Sequence, residues 1–216
     1  MKNCLLLFIL LTFHRCNCFS QVYIEPISGY QSDIANHGKF HQINSGLQLS
    51  FKKSSRYELI ARIQKSWGLP YHAVDSSFTA NSTLPLYEPA NKTIIAEAWY
   101  LSLDHRFILK SKGKNHQFSI LLLTGISGQI FKVNYKYDKV NYTILNPDQT
   151  QKTGGVSIGT GFEYMRLFKN DRLFFRLTVD APLMGEIAYP SSFKPMSLLA
   201  FNAGYSFLIK KKKHEK

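Results

Sequence analysis

The sequence predicts an all-β chain: an eight-stranded antiparallel up-and-down barrel whose strands cross a membrane. Three observations lead there. Apolar residues alternate with small or polar ones at a period of two over long stretches, as in strands with unlike faces. The connections between those stretches alternate between tight and long without exception. After residue 20 the longest aliphatic block, Ile120 to Leu123, ends at Thr124-Gly125, far short of the ~20 apolar residues of a membrane helix. An aromatic content of 14% and a hydrophobic content of 44% exclude a disordered chain.

The first element stands outside the barrel. Met1-Lys2-Asn3 is a short positive start, and Leu5 to Phe13 is an apolar run too short to span a bilayer. It fits the core of a secretory signal. Cys18 and Ser20 place small residues three and one before a cut between Ser20 and Gln21. His14-Arg15 before Cys16 supplies no lipobox. Cleavage would remove Cys4, Cys16 and Cys18, leaving no cysteine for disulfides, thiol catalysis or cysteine metal sites. It also removes Lys2 and Arg15 and no acid, so a net charge of +13 falls to +11.

Eight strands follow, at roughly 21–30, 40–51, 56–68, 94–109, 116–133, 154–168, 173–188 and 196–209. In the fifth, Phe118, Ile120, Leu122 and Ile126 oppose Ser119, Gly125 and Ser127. The sixth sets Val156, Ile158 and Phe162 against Ser157, Gly159, Gly161 and Glu163. In the seventh Leu173, Phe175, Leu177 and Val179 oppose Arg176, Thr178 and Asp180; in the eighth Leu199, Phe201, Phe207 and Ile209 oppose Ala200, Asn202 and Ser206. Polar turns at 52–55, 110–115 and 169–172 are tight, whereas 31–39, 69–93, 134–153 and 189–195 are longer. Every hairpin therefore turns tightly at one end and loops widely at the other, the plan of a barrel with short periplasmic turns and long external loops. The chain divides into a signal peptide (1–20), the barrel (21–209) and a basic tail (210–216).

Alternation alone does not say which face meets lipid, since a soluble lipocalin-type barrel has the same period with the senses reversed. Here the polar face is largely Gly, Ser, Asn, Gln and Thr, and most charges sit in turns, loops and tail. A water-facing exterior would be studded with charge. Aromatics also collect at strand ends: Phe51, Tyr57, Phe107, Phe118, Phe168, Phe174 and Phe207 near the tight turns, and Tyr30, Phe40, Trp67, Trp99, Phe131 and Tyr189 near the loops. Two girdles flanking an aliphatic band are expected where rings settle at head-group level. The apolar face should point outward.

The closing stretch Ala200-Phe201-Asn202-Ala203-Gly204-Tyr205-Ser206-Phe207 resembles the last strand of outer-membrane barrels. With the architecture of the whole mature sequence, it makes the chain similar to the small eight-stranded family of the OmpA membrane domain and OmpX, in the form common among Bacteroidetes. The resemblance implies an outer-membrane location, lipid and lipopolysaccharide as surroundings, and the barrel-assembly machinery as a partner during biogenesis. Family members typically end on the aromatic, whereas Leu208 to Lys216 follow Phe207 here.

Eight charges fall on the inward face: Glu25, Glu58, Arg62, Asp104, Arg106, Glu163, Arg176 and Asp180. Inside a barrel narrow enough for side chains to fill, they are costly unless paired and hydrogen-bonded. The expectation is a structural core of Arg forks bridging carboxylates; the alternative is a gated ion path or a catalytic carboxylate. Lys65, Glu97 and Arg166 fall on the lipid face, and Lys65 and Glu97, near the loop end beside Trp67 and Trp99, could pair at the head groups.

The search for chemistry finds little. Asp33, His37 and His41 are spaced by four, which would matter on a helix but not in a loop entering a strand. Asp104 and His105 lie on opposite strand faces, and His41 with Ser45 is a candidate pair without the pattern of lipid A deacylases or omptin-like proteases. Gly154, Gly155, Gly159 and Gly161 are not followed by a helix, so they read as small interior residues, not a phosphate loop. The basic residues Lys52, Lys53, Arg56, Lys110, Lys112, Lys114, Lys169, Arg172, Lys210 to Lys213 and Lys216 gather at the tight-turn rim and tail, which argues against nucleic acid; they would attract phospholipid phosphates or, equally, simply solvate a periplasmic rim. The expected function is a structural or surface-interaction role, with a possible extracellular partner at loops 69–93 and 134–153. No cofactor, metal or catalysis is expected. The alternatives are an enzyme acting on lipid or lipopolysaccharide, and a secreted lipocalin-like carrier of an apolar ligand.

Overall fold

The computed structural model describes residues 21–34, 39–109, 115–145, 147, 150–184 and 196–211. The signal segment 1–20, with His37, Tyr189 and residues 212–216, lies outside the described residues. The strands are β1 (Gln21–Asp33), β2 (His41–Lys52), β3 (Tyr57–Gly68), β4 (Tyr71–Phe78), β5 (Tyr87–Ile108), β6 (His116–Lys136), β7 (Gln151–Leu167), β8 (Arg172–Met184) and β9 (Leu198–Lys211). They form one antiparallel sheet in the order β3-β2-β1-β9-β8-β7-β6-β5-β4, and pairing of β3 with β5 closes it. Eight strands make the ring, and a closed ring leaves no edge to be covered.

β4 is the element that the sequence reading missed. It pairs with Tyr87–Ile94 of β5, so the expected loop 69–93 is largely a hairpin standing beyond the ring. The reason is chemical. On β4, Tyr71, Ala73, Asp75 and Ser77 face one way and His72, Val74, Ser76 and Phe78 the other, so neither face is distinctly apolar and period two leaves no contrast to read. Cross-strand polar contacts hold the hairpin instead. Lys92 Nζ lies 2.9 Å from Asp75 Oδ2, which also accepts from Tyr135 Oη at 3.0 Å. The 137–145 connection is tied to β4 by reciprocal bonds of 2.8 Å between Phe78 and Thr143. Within it, hydrogen bonds from Asn141 Nδ2 (2.6 Å) and the Val140 amide (3.0 Å) hold the Asp138 carboxyl below the usual carboxylate range.

The faces have the expected sense. Ile63 and Phe162 are 61% and 67% exposed, and Ile43, Leu47, Leu101, Ile120, Leu122, Ile158, Leu177 and Phe201 join them in an outward apolar band. Three aromatics assigned to the girdles instead point inward and are buried: Phe40, Phe131 and Phe174. Strand phase explains the two that lie in strands. Phe131 shares the parity of Ser127 and Gln129, and Phe174 that of Arg172 and Arg176, so position near a strand end did not decide direction. Phe40 and Phe131 pack edge to face at 5.3 Å in a cluster with Ile94, Ala96, Ala98, Tyr100, Met196 and Leu198. This cluster fills the loop-end half of the interior. Phe174 packs with Ile27 and Met165.

On the outer face Trp99 lies over Gly128, its register partner. A Cβ added there would come 2.3 Å from the indole Nε1. Gly128→Val should push the indole off the strand at a cost of about 1–3 kcal/mol. In a Trp67→Phe background the emission maximum, which then reports Trp99 alone, should shift; an unchanged spectrum would contradict this packing.

Candidate functional site

The interior charges are brought in by alternate residues of five strands, β1, β3, β5, β7 and β8, and Arg106 is their centre. From β5, its Nη1 lies 2.5 Å from Glu58 Oε2 and 3.0 Å from Ser50 Oγ. Its Nη2 donates to Glu163 Oε2 (3.1 Å) and Glu25 Oε2 (3.3 Å), and its Nε faces Glu163 Oε1 at 2.7 Å. Arg176 forks onto Glu163 through Nε (2.9 Å) and Nη2 (2.7 Å) and donates to Gln48 Oε1 at 3.1 Å. Glu25 further accepts from Ser206 Oγ at 2.7 Å and from Gln48 Nε2. All these charged groups are buried.

Arg172 belongs to the same network and corrects its assignment to the rim. It is 4% exposed, donates through Nη1 to both oxygens of Glu58 at 2.8 Å, and stacks on the Tyr23 ring at 3.4 Å. Next to a tight polar turn it read as a rim charge, yet it lies in phase with Arg176 four residues on, and that phase was the available signal. With it, three carboxylates (Glu25, Glu58, Glu163) meet three guanidiniums (Arg106, Arg172, Arg176). A buried cluster of this kind persists only because the charges balance and most lone pairs are met.

The other interior charges stand apart. Arg62 Nε is 3.3 Å from Asp104 Oδ2 and donates to Ser102 Oγ at 3.0 Å. Asp180, part-exposed, lies within electrostatic range of Arg62 and Asp104. Toward the loop end the interior turns to amides: Gln31 Nε2 donates to Gln42 and to Ser66 Oγ (2.8 Å), Asn44 Nδ2 to Gln31 Oε1 (3.2 Å), and Gln42 Nε2 to the Ala96 carbonyl (2.8 Å). The interior is thus layered from ion pairs through amides to the apolar cluster.

Trp67, Trp99, Phe107, Phe168 and Phe207 are exposed on the outer face, and Phe51 is half-buried. Lys65 and Glu97 find other partners than each other. Glu97 meets Lys132 at 2.5 Å, its neighbour across β5 and β6, while Lys65 lies over Trp67 at 5.5 Å and Arg166 over Phe168 at 5.8 Å. His41 does not pair with Ser45, which four residues along a strand place ~13 Å away. Its Nδ1 meets Tyr30 Oη at 2.5 Å, and the same cross-strand pairing joins His105 to Tyr57 and His116 to Tyr164, each at 2.7 Å. Among the described residues no group of three His, Cys, Asp or Glu could hold a metal ion.

No family model and no curated relative matches the chain. Solved structures do. A major outer membrane protein from Thermus thermophilus superposes with a TM-score of 0.51 at 11% identity, over 88% of this chain and 98% of that one. The fold is that of an outer-membrane β-barrel. The N-terminal β-barrel domain of Pseudomonas aeruginosa OprF (TM-score 0.47, 15% identity, 88% and 98% covered) and the attachment invasion locus protein Ail of Yersinia pestis (0.44, 8%, 88% and 97%) are also similar. Within this outer-membrane barrel fold, the Arg106 network occupies the tight-turn half and the β4–β5 hairpin extends the opposite end.

Proposed function

We propose that this chain is an outer-membrane protein whose side-chain-filled interior is structural and whose β4–β5 outgrowth meets an extracellular partner, without catalysis. One observation carries the reading. The barrel turns an apolar band outward and closes three buried carboxylates around Arg106, with Arg172 and Arg176 completing the network. That is the reverse of an apolar-ligand carrier, which would put its charges outside. A through-channel at this width would have to be opened past the ion pairs and then past Phe40 and Phe131; open aqueous barrels use about 16 strands.

The surface role has its own support. Val74, Leu86, Tyr87 and Val140, the last 92% exposed, present apolar side chains on the outgrowth, which lies beyond the ring and so beyond the lipid-facing band. Exposed apolar groups at an aqueous end favour a protein or glycolipid contact. Lipids, lipopolysaccharide and the assembly machinery enter as surroundings of such a barrel.

The test is expression with its leader in a Gram-negative host, followed by fractionation and gel analysis with and without boiling. The expected result is an outer-membrane band whose mobility depends on heating, and no steady ohmic step when the protein is added to planar bilayers. A soluble periplasmic product without a heat shift overturns the membrane reading. Stable conductance overturns the filled interior.

A further inference from the structure

A cavity of about 180 Å³ opens at the tight-turn end, walled in part by Tyr23, Lys52, Gln117, Phe168, Lys169 and Arg172. Its wall carries three cationic side chains, Lys52, Lys169 and Arg172, against one carboxylate, Asp171. Arg172 commits Nη1 to Glu58 and its plane to Tyr23, but Nε and Nη2 make no hydrogen bond among the described residues; Glu25 is 4.0 Å from Nη2, too far for one. Gln117, 8% exposed, likewise has no acceptor for Nε2. The carboxylate in the wall, Asp171, is drawn toward β9, where it accepts from Tyr205 Oη (3.3 Å) and the Leu208 amide (3.4 Å). Lys52 and Lys169 add positive charge at the same mouth.

Buried donors without acceptors cost free energy that a ligand bringing oxygens would recover. A compact anion with several oxygens suits this wall, since charge-assisted bonds from Arg and Lys are the strong ones. We propose that the cavity binds a phosphate group through Lys169, Gln117 and Arg172, carried either by a lipid head group or by a free phosphate ester. The site stands on the cavity alone; only the lipid source rests on the membrane reading. Leu167, Phe168 and Leu208 line the same cavity, with Phe168 exposed toward the outer face, so a head group could enter with its glycerol and chains along them.

The experiment uses the chain from Gln21 folded in a maltoside detergent, which carries no phosphate, with the heat-shift gel as fold control. One arm titrates inorganic phosphate and glycerol phosphate calorimetrically. The other adds phosphatidylglycerol to the micelles and counts retained lipid by native mass spectrometry. Saturable binding of the small phosphates supports the site as a general phosphate site, and retention of lipid alone supports it as a head-group site. Lys169→Gln and Gln117→Leu should each weaken binding about tenfold. Arg172→Met should abolish it but strips Glu58 of a partner, so the other two variants, outside the ion-paired network, decide. Gln117→Leu is the sharper of them, since it should lose affinity while the unfolding midpoint of the unliganded protein does not fall. No saturable binding in either arm, or binding unaltered in both of these variants, overturns the proposal.

Discussion

Arg106→Met should lower the unfolding free energy of the barrel by about 3–5 kcal/mol, the cost of breaking a buried ion pair from one side. The reasoning follows from which carboxylates lose what. Among the described residues, Arg106 is the one guanidinium that touches all three of Glu25, Glu58 and Glu163. Without it, Glu58 keeps Arg172 at 2.8 Å and Glu163 keeps Arg176 at 2.7 Å, but the nearest guanidinium to Glu25 is then Arg172 at 4.0 Å. One carboxylate is left fully buried with no guanidinium in hydrogen-bond reach, held by Ser206 and Gln48. Arg176→Met should cost less, because Glu163 retains Arg106. Urea unfolding of the refolded protein in detergent, followed by tryptophan emission, measures both. Adding Glu25→Gln to Arg106→Met replaces the stranded carboxyl by a neutral amide and should restore part of the loss, so the double-mutant cycle shows a coupling of at least ~1 kcal/mol. An unmoved midpoint in Arg106→Met would mean that the network contributes nothing to stability and is kept for another purpose.

The same residues show how much was legible in the sequence. Ring strands announce themselves because lipid on one side and a filled interior on the other give every second residue an opposite chemistry; strand spans and the inward phase of Glu25, Arg106 and Arg176 follow from that contrast. Where the contrast fades, so does the signal. β4 stands beyond the ring with mixed faces and read as loop, and the beginning of β5 at Tyr87 was lost with it. Arg172 and Phe174 were misplaced because proximity to a turn was given more weight than phase. What no periodicity can supply is partnership. That Arg106 joins three carboxylates from β1, β3 and β7, or that Glu97 meets Lys132 and not Lys65, depends on the register between strands far apart in sequence.

Phe131→Ala should cost about 3–5 kcal/mol, as expected for emptying a buried aromatic site, and should also unseal the loop end of the interior. Phe131 is fully buried, and its edge contact with Phe40 anchors the cluster that Met196 and Leu198 complete from the segment entering β9. Ring strands are held by backbone bonds on both sides, so the space cannot close by moving β6; relaxation falls to Phe40 and the Met196 segment, whose polar ties include the Met196 amide to Gln129 Oε1 (3.0 Å), Gln42 Nε2 to its sulfur (3.6 Å) and the Ile34 amide to the Ser197 carbonyl (2.7 Å). The two consequences separate by measurement. Residues 21–216 contain no cysteine, so Ser127→Cys, a near-isosteric change at a buried position two residues before Gln129, supplies a unique interior thiol. Its labelling by a hydrophilic maleimide should be slow with Phe131 present and about tenfold faster or more without it, if local opening there becomes easier by ~1.4 kcal/mol or more. A lower unfolding midpoint with unchanged labelling would make the cluster a packing element only, and would leave the Arg106 ring as the sole barrier along the axis. Faster labelling with an intact ring would make the barrel a cup open to the long-loop side, with its polar amide layer of Gln31, Gln42 and Asn44 available to whatever the outgrowth meets.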